Sequence, residues 1–408
     1  MNYFKLGLIR ERKNPPDKRV ALLPEQCLEL QAKYPSLTIK VEASDARCIP
    51  DQAYRDAGIN VVDDVSDCDL LLGIKEVPPT NLLANKTYLF FSHTMKKQPQ
   101  NQKLLQQALE KNIKLVDYEC LTDALDNRIV AFGRYAGIVG AYNGIMAYGL
   151  RYKLFELKAA NLCHSMAEMI SEQYPKVKAL PPIKIAVTGA GRVGKGAIEV
   201  LDGMGIKRVS AQDFLTQTFN EPVYTQLNSG DYYQRLDGQT WDSHYFHTHP
   251  AEVRSNFLPF AKAADLLITT SFWHPATPPL FTLDEIQLPD FKIKVIADIT
   301  CDIEGFVPCT LTASTIAAPF FDYNPKTHGM ETAFSSEENI SMMTIDNLPC
   351  ELPYDASLSF GRQLIDNVFP HLLSGNDDDL VVAKATIAEG GHLTPRYDYL
   401  SDYAYNRV

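Results

Sequence analysis

The sequence predicts an α/β protein of two domains, each built on a parallel sheet, with a cleft between them. Three observations carry that expectation. At 408 residues the chain exceeds the size at which one hydrophobic core keeps growing. Its first third alternates short apolar runs with helical patterns, as stacked strand–helix–strand units do. Residues 184–213 then set out a strand, a glycine turn, a helix and an acid in the order a dinucleotide site requires.

Taken in order, the runs at 4–9, 38–41, 69–74, 87–91 and 114–117 are the expected strands of the first domain. Residues 98–111 between the last two place Leu104, Leu105, Ala108 and Leu109 at helical spacing. Residues 135–150, rich in glycine and tyrosine, read as a helix whose small residues let another element come close. That stretch is shorter than the ~20 apolar residues a membrane span needs. Leu180-Pro-Pro182 reads as a boundary ahead of the glycine turn.

The turn itself makes the second domain Rossmann-like. Gly189 permits the sharp strand-to-helix turn, Gly191 lets backbone approach a pyrophosphate, and Gly194 allows the helix to pack on the strand. Arg192 and Val193 complete the loop, whose N–H groups face the anion. Asp213, closing a presumed strand at 207–213, lies the expected ~20 residues on, where a carboxylate bonds the adenosine ribose. Because a carboxylate repels a 2′-phosphate, Asp213 favours NAD, with NADP left open. Strands resume at 264–269 and 294–299, residues 356–373 turn helical, and the aromatic stretch from 214 to 257 resolves into no elements.

Composition narrows the function. A formal charge of -11 leaves no basic excess to neutralise nucleic-acid phosphates. The eight cysteines are scattered singly, without zinc-site spacing, and read as reduced thiols. A charged N-terminus without a signal-like apolar run makes the cytoplasm the expected compartment. No membrane association is expected. His244, His247 and His249 lack a carboxylate or thiolate at ligand spacing, so no metal site is expected there.

Chemistry points to strand ends. Lys75 follows one apolar run and His93 another, where ligands of open α/β sheets bind. A lysine at its reference pKa of ~10.4 is a poor base unless burial or a cation lowers it, whereas histidine needs no such help. Glu76 adjoins Lys75, and Glu119 ends a third strand. Arg19 and Arg128 precede apolar residues rather than a charged face and are candidates for clamping carboxylates, with Arg10 and Arg134 weaker ones.

These residues resemble a family. Residues 10–24, Gly73-Ile-Lys-Glu76, Phe91-Ser-His93, Val116-Asp-Tyr-Glu119 and Arg128-Ile-Val-Ala-Phe-Gly-Arg-Tyr-Ala-Gly137 are similar to the alanine dehydrogenase and transhydrogenase superfamily. Asp298-Ile-Thr-Cys-Asp302-Ile-Glu-Gly305, Thr344-Ile-Asp-Asn-Leu-Pro349 and residues 385–400 resemble its saccharopine dehydrogenase branch, specifically the lysine-ketoglutarate reductase portion of the bifunctional aminoadipic semialdehyde synthases.

The resemblance implies a discontinuous catalytic domain, 1–139 plus 346–408, around an NAD-binding domain, 140–345. It implies reversible conversion of saccharopine to lysine and 2-oxoglutarate in the cleft. Lys75 would take the amine proton, His93 would activate water, Glu76 and Glu119 would tune the pair, and Arg19 and Arg128 would hold substrate carboxylates. Asp298 and Asp302 would join the cofactor contacts. The rival expectations are alanine dehydrogenase or another amino-acid or opine dehydrogenase, and a non-catalytic NAD-binding regulator. Oligomeric state and physiological direction are not legible.

Overall fold

A computed structural model describes residues 5–13, 17–374 and 377–405, so the first position of the expected strand at 4–9 lies outside the described residues. Two compact units emerge: residues 1–132 with 353–408, and residues 133–352. Leu180–Pro182, read as a boundary from its prolines, lies inside the second unit and only leads into a strand.

The first unit begins with β1 (Lys5–Leu8), β2 (Thr38–Glu42), β3 (Asn60–Val62), β4 (Leu70–Leu72), β5 (Thr87–Phe90) and β6 (Lys114–Asp117). The second contributes β7 (Lys184–Thr188), β8 (Lys207–Arg208), β9 (Val223–Leu227), β10 (Tyr233–Arg235), β11 (Val253–Ser255), β12 (Leu266–Thr269), β13 (Val295–Asp298), β14 (Phe320–Asn324), β15 (Gly329–Glu331) and β16 (Ile340–Met343). The chain returns to the first unit with β17 (Thr386–Glu389) and β18 (His392–Leu393).

In the first unit the strand order is β18-β17-β6-β5-β4-β1-β2-β3. Strands β1 to β6 run parallel, and β17 closes one side antiparallel to β6. The direction of winding reverses between β1 and β4, the place where an open α/β sheet opens a crevice at its strand ends. Strand β4 is Leu-Leu-Leu with every residue buried, as expected for a parallel strand covered on both faces. Helix α1 (Gln102–Glu110) buries Leu104, Leu105, Ala108 and Leu109 against this core, and leaves 98–101 of the expected helix as a 3₁₀ turn with its approach.

The second unit has the order β15-β14-β16-β13-β12-β7-β9-β8, parallel except at β14 and β15. Its winding reverses between β7 and β12. Helix α2 (Gly133–Arg151) crosses α3 (Arg192–Gly203) with almost no space between backbones: a Cβ on Gly137 would sit 1.9 Å from the Val193 carbonyl oxygen, and one on Gly196 2.0 Å from that of Arg134. The aromatic stretch resolves into α4 (Ala211–Thr216), strand β9, α5 (Ser229–Tyr232), α6 (Ser243–Thr248) and the antiparallel β10–β11 pair. It escaped sequence analysis because its elements are short and its aromatics pack inward: Phe214, Tyr232 and Phe257 are all buried. The C-terminal helical stretch is α7 (Pro353–Asn367), broken before Phe369–Leu373. Among the described residues no helix is long and apolar enough to cross a membrane.

Candidate active site

The strand ends of the first unit gather the titratable residues. Beyond β4, Ile74 and Lys75 turn over the side chain of Glu11, whose two carboxylate oxygens accept their backbone N–H groups at 2.6 and 3.0 Å. Burial pushes the Glu11 carboxyl up to about 7 against the pull of those donors. Lys75 makes no ion pair among the described residues. Burial lowers its pKa, and the charges of Arg19 and Lys13 add to the effect, while Glu76 and Asp17 oppose it. Burial and neighbouring cations thus both act in the direction that favours a lysine base.

Beyond β5 the chain bends sharply, with His93 at φ 53, a left-handed backbone seldom adopted by residues other than glycine. A fully buried carboxylate holds that bend: Asp117 accepts Ser92 N at 3.0 Å, Ser92 Oγ at 2.5 Å and His93 N at 3.1 Å, and also Glu119 N at 2.7 Å. One residue thereby sets the strand ends of β5 and β6 together. His93 Nδ1 lies 2.6 Å from Glu76 Oε1, and Lys13 Nζ 3.5 Å from Glu76 Oε2. Desolvation opposes ionisation of Glu76, but the His93 hydrogen bond and the charges of His93 and Lys13 bring its carboxyl down to about 2. With Nδ1 engaged by a carboxylate, Nε2 is the ring nitrogen left to exchange a proton.

Glu119 lies 2.8 Å from Lys96 Nζ and 3.7 Å from Arg128 Nη1. Although partly desolvated, it is held below the ordinary range by Lys96, Arg128 and His93. Its Oε2 is buried without a hydrogen-bond partner. Arg128 also stacks over Phe91 at 5.5 Å and donates Nε to Val130 O at 3.0 Å. Arg19 is 3% exposed, gripped by Asp17 at 3.0 and 2.6 Å and laid over Phe132 at 4.1 Å. Of the weaker candidates, Arg10 pairs with Glu42, and Arg134 with Glu199 in the second unit.

Sequence analysis missed Glu11, Lys13, Lys96 and Asp117. Lys96 could have been found from its place three residues after His93. Glu11 and Asp117 act through backbone N–H groups brought close only by sheet register.

In the second unit β7 runs into Gly189 at φ 92, then Ala190 and Gly191, then α3. A Cβ on Gly194 would lie 2.3 Å from Gly189 O, so helix and turn pack backbone to backbone. A Cβ on Gly191 would meet nothing within 4 Å, which leaves the open cradle a pyrophosphate needs. Arg192 is exposed at the helix start and Val193 half-buried beside it. The turn borders a hollow of roughly 560 Å³ walled by Tyr232, Trp241, Phe246 and Trp273, inside which the buried Thr277 hydroxyl has no hydrogen-bond partner. Cradle, apolar walls and orphaned hydroxyl fit a dinucleotide.

Two further candidates are placed otherwise than expected. Asp213 does not close a strand. β8 ends at Arg208, and Asp213 is in α4, its carboxylate 2.8 Å from Ser210 Oγ and 2.5 Å from Gln217 Nε2. The capping signal of Ser210 outweighed a strand too short to persist. Asp298 is fully buried at the end of β13, accepting from Thr269, Thr300 and Thr310 hydroxyls at 2.6, 2.5 and 2.6 Å. That carboxylate braces the strand ends. Asp302 is raised by burial and by the charge of Asp298. His244 and His247 lie on α6 with His249 following, and no group of His, Cys, Asp or Glu among the described residues could hold a metal ion.

The geometry defines an α/β protein with two largely parallel sheets, and comparison extends that description. Residues 7–139 match the family described as "Alanine dehydrogenase/PNT, N-terminal domain". Over the whole chain the fold is similar to an L-alanine dehydrogenase, with a TM-score of 0.66 at 17% identity, covering 98% of this chain and 100% of that one.

Among curated sequences it is similar to alpha-aminoadipic semialdehyde synthase of Rattus norvegicus, 28% identical over 98% of this chain and 48% of the relative. The protein of that name from Bos taurus is 29% identical with the same coverage. Saccharopine dehydrogenase [NAD(+), L-lysine-forming] of Neurospora crassa is 25% identical over 88% of each chain. The chain thus spans about half the length of the synthases it matches.

Proposed function

We propose that the protein is a nicotinamide-dependent saccharopine dehydrogenase of the L-lysine-forming type. The observation that carries the reading is the pairing of two unlike bases at adjacent strand ends: a lysine with a depressed pKa and no ion-pair partner among the described residues, and a histidine fixed by an ionised glutamate. The reaction has two proton steps of different difficulty, and two groups of different basicity suit them. Similarity to a relative named saccharopine dehydrogenase [NAD(+), L-lysine-forming] supports the choice among amino-acid dehydrogenases.

Neutral Lys75 takes the proton of the secondary amine of saccharopine. A nicotinamide bound in the second unit would supply the hydride acceptor for the glutamyl α-carbon, whose oxidation leaves a protonated imine. His93 then draws a proton from water through Nε2 as the oxygen adds to the imine carbon, and Glu76 stabilises the imidazolium from the Nδ1 side. Returning that proton to nitrogen, while the carbinol hydroxyl gives its own proton to His93, breaks the carbon–nitrogen bond and releases lysine and 2-oxoglutarate. Arg128, steered by Glu119, meets a substrate carboxylate. Arg19, buried against Asp17, chiefly lends its positive charge to keep Lys75 neutral. Gly189, Gly191 and Gly194, with Arg192 and Val193, receive the pyrophosphate.

The test is absorbance at the reduced nicotinamide band with lysine and 2-oxoglutarate supplied together, using NADH and NADPH in parallel. Oxidation is expected only with both substrates present. Turnover of pyruvate and ammonia in their place would transfer the assignment to alanine dehydrogenase.

A further inference from the structure

The first unit holds a second polar cavity, of roughly 220 Å³, whose described lining includes none of Lys75, Glu76, His93, Glu119, Arg19 or Arg128. It is a place of its own. Glu42, the last residue of β2, and Arg12, on the chain beyond β1, supply its charged wall. Ile9, Val65 and Val77 supply an apolar one. Tyr88, on β5, accepts Leu83 N through its hydroxyl at 2.9 Å and ties the segment that covers the cavity to the sheet.

The charged wall is built rather than incidental. Glu42 is only 4% exposed, and an ion pair so secluded persists only where further hydrogen bonds offset its desolvation. Arg12 Nη2 donates to Glu42 Oε1, Arg12 Nη1 donates to Arg10 O at 3.0 Å, and Glu42 accepts Arg10 N at 2.9 Å, with Arg10 Nε 3.5 Å from Oε1. Those bonds fix both side chains while using only part of the donors of a guanidinium and the acceptor sites of a carboxylate. Asp64 stands exposed at the open side, its carboxyl held below the ordinary range by the hydroxyl and N–H of Ser66.

We propose that this cavity binds a free basic amino acid, a molecule with one carboxylate and two ammonium groups on an aliphatic chain. The charges lining it are the complement, one guanidinium and two carboxylates. The guest's carboxylate meets Arg12, its ammonium groups meet Glu42 and Asp64, and its methylenes lie along the apolar wall. A neutral amino acid leaves one carboxylate without a counter-charge, and a dicarboxylate or phosphate meets like charge. The volume, below the ~300–1,000 Å³ of sites for larger ligands, suits a guest of amino-acid size and excludes a nucleotide. The inference does not depend on the proposed reaction, and its test involves no turnover.

The experiment is calorimetric titration with L-lysine, without nucleotide or 2-oxoglutarate, and a dissociation constant of about 1 mM or tighter is expected. Norleucine, which lacks the side-chain ammonium, and 1,5-diaminopentane, which lacks the carboxylate, should bind at least about tenfold more weakly. Asp64→Asn should weaken lysine several-fold with the melting temperature unaltered. Asn81→Trp puts an indole at the open side and should remove the heat of the cavity. Heat from lysine at the candidate active site persists in both variants, so the difference from the wild type isolates the cavity.

Wild-type heat retained in full by both variants overturns the inference. Norleucine binding as tightly as lysine does so too, as does the absence of any lysine heat. Should Asn81→Trp fail to fold, Asp64→Asn decides alone. The paired-substrate assay of the proposed reaction is untouched by each of these results, so the two readings fail separately.

Discussion

Lys75 and Glu76 show how far a single side chain can be argued. Neutral lysine is the form that accepts a proton, so oxidation of saccharopine should gain rate as pH rises through the lowered Lys75 pKa, earlier than for an ordinary lysine. The negative charge of Glu76 raises that pKa, and Glu76→Gln should therefore move the rising limb of the kcat/KM profile to lower pH. A limb that moves upward would show that Glu76 does not act on Lys75 as described. Lys75→Met should cut kcat by about 100-fold or more, with nucleotide affinity measured by titration unchanged; equal loss of both would make Lys75 structural. The strand-end positions of Lys75, His93, Glu76 and Glu119 were legible in sequence because each ends or follows an apolar run. The same logic placed Asp213 at a strand end where the structure has a helix, since spacing beyond the glycines was counted without knowing that β8 holds only two residues. Asp117 and Glu11 were illegible as anchors, because the N–H groups they bond come from other strand ends.

At the scale of elements, the crossing of α2 and α3 depends on missing side chains. Gly137→Val places atoms where the Val193 carbonyl already lies, and the helices must separate. A loss of at least about 3 kcal/mol in denaturant unfolding is expected, and a change below about 1 kcal/mol would mean that the helices are not so closely apposed. The close approach was readable from the small residues of 135–150, though its partner was not. Central parallel strands were equally readable, since burial on both faces makes them continuously apolar. The short strand β3 and the elements of 214–257 were not, because three to six residues carry too little periodicity to separate strand from turn.

For the molecule as a whole, each unit buries a carboxyl that resists ionisation. Glu11 in the first and Glu351 in the second are both pushed up to about 7 by desolvation, and Glu351 accepts Asn143 Nδ2 at 2.9 Å. A raised folded pKa contributes stability that is complete below the unfolded value of ~4.5 and lost as pH climbs through about 7. The melting temperature should accordingly fall between pH 5 and 8. Glu351→Gln should flatten that fall, recovering on the order of 2–3 kcal/mol at pH 8; an unchanged slope would show that Glu351 ionises freely in the fold.

The position of β17 has a consequence for synthesis. It pairs with β6 from about 270 residues further along the chain. At ribosomal rates of roughly 5–20 residues per second, β6 waits on the order of 15–50 s with one edge unpaired. An unpaired parallel edge recruits other strands, so a nascent chain of this protein should engage chaperones at its first third long after residues 133–352 have emerged and become able to fold.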